Sequence, residues 1–132
     1  MVDDKVLLIG IVLGDSGPES TAWIRRIGQL RSEVEGLLRG VESPFTVQIA
    51  FHVDGRIAPN EFEGVRTGSY SRRTSVLVVQ AAVPKVMDEA ATRPFLVDLL
   101  RASLDTAAEA ARRRRLGALP DALLEVTRRV SP

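Results

Sequence analysis

From Val6 to Leu13 the chain runs without one polar side chain, Val-Leu-Leu-Ile-Gly-Ile-Val-Leu, and Gly14-Asp15-Ser16-Gly17 closes the run. A segment that short and that rich in β-branched residues cannot cross a bilayer and suits a strand buried on both faces. It is therefore expected at the centre of a sheet. The period then changes. Trp23, Ile27, Leu30, Val34, Leu37 and Val41 recur at helical spacing, Ser16 and Glu19 fit a capping box, and Gly40 offers a left-handed stop, which predicts a helix over 17–39.

Phe45, Val47, Ile49, Phe51 and Val53 then alternate with Thr46, Gln48, Ala50, His52 and Asp54, the pattern of a strand packed on one side only. Gly55 to Thr74 follows with three Gly, one Pro and four Arg, and reads as a long polar loop holding a short strand near Phe62 to Val65. Ser75 to Val83 is a second strand apolar on both faces, closed by Pro84. Thr92 and Pro94 open a long helix through Leu96, Leu100, Leu104, Ala107, Ala108 and Ala111 that stops at Gly117. Pro120 opens a last short helix over 121–130.

The expected fold is α+β: a single domain over 1–132, in the order β-α-β-β-α-α. A three- or four-stranded, mainly antiparallel sheet carries two long helices and a short C-terminal helix on one face. Two strands apolar on both faces would leave Val, Leu and Ile side chains on the bare face. A homodimer is therefore expected, joined through that face or through the first helix. Gly28, Ser32 and Gly36 line one side of that helix and are expected to sit close against the sheet, with a second copy of the helix as the alternative.

Composition narrows the function classes. The 132 residues include no cysteine, which removes disulfides, thiolate metal sites and thiol nucleophiles and favours a reducing compartment, so the protein is expected in the cytosol. The net charge of +1 and the absence of aromatic residues interleaved with the basic ones disfavour nucleic acid as a partner. Among 18 cationic residues only Lys5 and Lys85 are lysine, a bias that fits a GC-rich bacterial genome. The run Arg112 to Arg115 lies where a helix dipole favours cations, and four successive residues spread around a helix rather than forming one face.

Local motifs are sparse. Gly10, Gly14 and Gly17 flank a strand-to-helix turn, but their spacing matches no phosphate-binding loop and Asp15 and Glu19 would repel an anion. His52, the only histidine, shares a strand face with Asp54, which could set its tautomer, although a half-exposed surface or interface histidine is the simpler reading. The polar loop brings Arg66, Tyr70, Arg72 and Arg73, a set able to clamp a carboxylate or phosphate.

The candidate binding residues are thus His52, Asp54, Arg66, Tyr70, Arg72 and Arg73. The favoured function is a non-catalytic binding protein for an acidic protein or a small anionic ligand, with no cofactor, metal or membrane. The alternative is a small metal-independent acid–base enzyme with His52 as base, oriented by Asp54, and Tyr70 as donor. That reading requires those groups to converge.

Overall fold

A computed structural model describes residues 7–13, 18–37, 45–53, 65–83 and 89–130. In chain order the elements are β1 (Leu7–Leu13), α1 (Pro18–Leu37), β2 (Thr46–Val53), β3 (Val65–Ser71), β4 (Val76–Val83), α2 (Glu89–Arg113) and α3 (Leu119–Arg129). The four strands form one sheet in the order β1-β2-β4-β3. The fold is α+β with the expected element order, but the sheet is mixed rather than mainly antiparallel. β1, β2 and β4 run parallel, and only β3 is antiparallel, paired with β4 at the edge. The physical reason lies in the connections: α1 returns the chain so that β2 starts at the same end as β1, and β3 does the same between β2 and β4.

Register decides which side chains face the helices. Leu7, Val47 and Leu77 share a row, as do Ile9, Ile49 and Val79, and β2 and β4 add Phe51, Ala81, Val53 and Val83. All of these are buried. α2 packs over β3 and β4, α1 over β1, and α3 lies against α2 and touches α1, so one sheet face carries the helical layer. Trp23, Ile27, Leu30 and Val34 from α1, Leu96, Leu100, Leu104 and the Ala107/Ala108/Ala111 group from α2, and Leu119, Leu123 and Val126 from α3 complete the core. The alanines leave α2 no bulk on that side, which lets α3 approach closely.

The other sheet face presents Thr46, Gln48, Ala50 and His52 from β2 and Val76, Val78, Gln80 and Ala82 from β4. Two expectations change here. Ala50 and His52 are buried, so β2 is not packed on one side only. β1 lies at the sheet edge rather than at its centre, and β2 and β4 hold the central places.

Helix ends and turns follow their local chemistry. Pro94 is the sixth residue of α2, inside the helix rather than at its start, where it removes the N–H that would have reached the Ala90 carbonyl and crowds that carbonyl with its ring. α2 unwinds through Arg115, at φ 56°, and Gly117, at φ 61°, as Leu116 N donates to the Ala111 carbonyl at 3.0 Å. Because a side chain at φ near 60° crowds the following carbonyl, Gly117→Ala should lower stability by about 1 kcal/mol. A shifted denaturant midpoint with unchanged slope is the expected readout. Arg101 of α2 donates from Nη2 to the Val130 carbonyl, tying the end of α3 to the middle of α2.

The row of Gly28, Ser32 and Gly36 does not sit against the sheet. Among the described residues a Cβ on either glycine would meet nothing within 4 Å, and Ser32 turns back to the Gly28 carbonyl at 3.2 Å. The core-facing side of α1 is filled instead by Trp23, Ile27, Leu30 and Val34. The Ser16–Glu19 capping pair, Gly40 and Val41 lie outside the described residues or side chains. Among the described residues no helix is long and apolar enough to cross a membrane.

Candidate functional site

The three parallel strands end flush, since Leu13, Val53 and Val83 share one row. In open sheets of parallel strands this carboxyl edge is where ligands commonly bind, because the connections that leave it converge there. His52 stands one residue from that edge, between Val12 and Ala82, on the face away from the helices. At 7 % exposure it is a buried histidine and not the half-exposed one expected. Asp54, two positions further along the chain, lies outside the described residues, as do Arg56, Glu61 and Glu63.

The described half of the stretch expected as a long loop is structured. Residues 65–71 are β3 and 72–75 form a tight turn into β4, while 55–64 lie outside the described residues. Arg66 pairs with Gln80, which pairs in turn with Ala50, so the backbone of Arg66 lies one row from His52 and two strands away. Strand spacing and rise put their Cα atoms about 12 Å apart. Gln80, between them, is the one polar residue within β4 and belongs to the same face. Its lone polarity inside VLVVQAAV was the signal that could have placed it in the candidate set.

Tyr70 goes elsewhere. Thr67 pairs with Val79 and Tyr70 with Leu77, so Gly68 and Ser69 together oppose Val78 in a bulge. The extra residue reverses the alternation and puts Tyr70 on the helix side, half-buried against the core, with the Arg114 guanidinium 5.3 Å from its ring centroid. The sheet itself therefore separates Tyr70 from His52.

Arg72 and Arg73 are exposed in the β3–β4 turn, at the opposite end of β4 from Ala82, the neighbour of His52. Six residues of strand make that separation about 20 Å. The turn is well held: Thr74 N donates to Ser71 Oγ at 3.3 Å, Thr46 N to the Ser75 carbonyl at 2.9 Å, and Ser75 adopts a left-handed φ of 58°. The structure thus brings His52 and the Arg66 position onto one face and places Tyr70 and the Arg72–Arg73 pair at two other locations.

The remaining arginines are mostly engaged. Arg112 and Arg113 bridge to Glu109 at 3.2 and 3.3 Å, Arg128 and Arg129 to Glu125, Arg93 to Glu33 at 2.9 Å, and Arg31 to Glu35 at 3.9 Å. Arg26 lies 5.8 Å from the Trp23 ring and Arg114 covers Tyr70. Neither Arg72 nor Arg73 has an ion-pair partner among the described residues, although both are held on a short turn. Among the described residues no three His, Asp or Glu side chains gather in a way that could hold a metal ion.

Comparison with protein-family models, with curated proteins and with solved structures finds no match to this chain, so the fold and the placement of these side chains carry the functional reading by themselves.

Proposed function

We propose that the protein is a non-catalytic binding protein of the bacterial cytosol, acting as a homodimer, whose Arg72–Arg73 turn receives an anionic group from an acidic protein or a small ligand. The observation that carries this reading is the contrast among arginines. Most of the others neutralise a neighbouring carboxylate or cover an aromatic ring, whereas Arg72 and Arg73 stand side by side on a hydrogen-bonded turn with no acidic partner among the described residues. Two neighbouring guanidinium groups on such a turn offer forked donors to a carboxylate or phosphate.

The acid–base enzyme has less support. It needs Tyr70 and an arginine beside His52, and the register sets the tyrosine on the other sheet face and the turn about 20 Å away. Nucleic acid is also disfavoured, since Arg112, Arg113 and Arg114 of the basic run already have partners within the fold.

Titration with inorganic phosphate and with a polyglutamate peptide tests the proposal. Each charge-assisted hydrogen bond is worth about 1.5 to 3 kcal/mol, so Arg72→Ala with Arg73→Ala should weaken peptide binding about a hundredfold or more. Arg66→Ala alone should leave it nearly unchanged. No binding of either probe, or binding indifferent to the double substitution, would overturn the assignment.

A further inference from the structure

β1 has the composition of a buried strand and the position of an edge strand. Its sequence, Leu7-Leu8-Ile9-Gly10-Ile11-Val12-Leu13, holds no charge and no proline, and among the described residues β2 is its only strand partner. The opposite edge is differently made: β3 carries Arg66, Thr67, Ser69 and Ser71 and a bulge between Thr67 and Tyr70. Charges and bulges are the devices by which natural edges avoid pairing with another chain, and β1 has neither.

The order of residues in β1 says which partner fits. Around Gly10 the strand is a near-palindrome: Ile9 matches Ile11, Leu8 matches Val12, and Leu7 matches Leu13. When such a strand pairs antiparallel with its own copy about Gly10, each apolar residue meets an apolar residue of similar size. Matched positions also have the same parity, so the helix-side rows of Leu7 and Ile9 continue into helix-side rows of the copy. A partner with any other sequence would not be self-complementary in this way, and a two-fold interface requires that it be so.

Gly10 supplies an independent observation. Among the described residues a Cβ built there would meet only Gln48 Nε2, at an ordinary 3.9 Å, so the described packing does not call for glycine. Glycine weakens a strand interior and often marks a place where another backbone approaches closely. The centre of a two-fold strand pair is such a place.

We propose that β1 pairs antiparallel with β1 of a second copy about a two-fold axis at Gly10, joining two four-stranded sheets into one continuous sheet with all helices on the same side. α1, which packs over β1, is carried to the seam with it, and its Ile24, at 44 % exposure, is the exposed large hydrophobic residue of the described surface. This inference rests on the homodimer part of the proposed function and is independent of the anion site.

The test uses the full chain, with oligomeric mass measured by light scattering across the micromolar range. The wild type should be a dimer. Gly10→Lys sets two like charges opposite each other at the axis while its Cβ makes only an ordinary contact with the described residues of the single copy, so the dimer dissociation constant should rise at least about tenfold, with the circular dichroism spectrum unchanged. Gly10→Cys is a unique thiol in a chain without cysteine. Paired Cα atoms in an antiparallel ladder are about 4.5 to 5.5 Å apart, within disulfide range, so mild oxidation should convert most of it to a covalent dimer, while Arg72→Cys should not react so. A wild-type monomer would overturn both this inference and the homodimer reading. A dimer that survives Gly10→Lys, with Gly10→Cys failing to cross-link, would overturn the β1 seam alone and leave the homodimer to another surface. Should Gly10→Lys not fold, the cross-linking result decides.

Discussion

Replacing Trp23 with Ala should destabilise the fold by about 3 to 5 kcal/mol, the usual cost of removing a large aromatic from a packed core. Trp23 is 2 % exposed, in the first half of α1, and meets the edge of Phe95 from α2 at a ring separation of 6.5 Å and an interplanar angle of 61°. It therefore holds the two long helices together as well as filling the space above the sheet. An aromatic pair of this geometry adds about 0.5 to 1.5 kcal/mol beyond the area it buries. Against a total stability of about 5 to 15 kcal/mol for a domain of ordinary size, the loss leaves a marginal fold. Gln29→Ala, exposed on the same helix, should change stability by less than about 0.5 kcal/mol. Urea unfolding of the two variants checks the contrast; similar midpoints would mean that α1 does not present this face to the core.

Val79→Asp should leave no folded protein under conditions where Val78→Asp folds. Val79 is fully buried on the helix side of β4, in the row of Ile9 and Ile49, where a carboxylate has neither water nor a cationic partner. A charge placed there without a partner costs several kcal/mol, on the order of the whole stability of the domain. Val78 faces the other way, is half-buried and pairs with Gln48. Its substitution should cost about 1 kcal/mol, in the middle of the range for single changes. Loss of the near-ultraviolet signal in the first variant and its retention in the second is the expected result. The reverse would mean that the helices cover the opposite face.

Those two experiments probe what was legible in local pattern. The alternation in β2, the helical spacing of Trp23, Ile27, Leu30 and Val34, and the glycine stop at 117 each reflect a physical rule that acts within a few residues, and each element forms where those rules place it. The boundaries drift where long-range contacts take over. α2 begins at Glu89, ahead of the Thr92 and Pro94 start, so the helix runs through a proline that local rules place at a helix opening. The strand in the polar stretch is β3, at Val65–Ser71 rather than near Phe62 to Val65, since β3 has little hydrophobic signal and is stabilised by pairing with β4.

The candidate site shows the same division more sharply. His52, Arg66, Tyr70, Arg72 and Arg73 are near one another in the chain, but three features that act at a distance disperse them: the register of β2 on β4, the bulge at Gly68 and Ser69, and the turn that sends the chain back along β4. A one-residue shift in a strand moves a side chain through the sheet, and no local propensity records it. Local pattern alone accounts for β1, β2, β4 and the three helices, for the apolar side of each helix, and for the absence of cysteine chemistry. Only the tertiary structure decided that the sheet is mixed, that β1 lies at its edge, that Tyr70 belongs to the helix side and that Arg72 and Arg73 stand apart from His52. Strand order and register depend on contacts between residues far apart in the chain, and each of those contacts is a choice among partners that look alike locally.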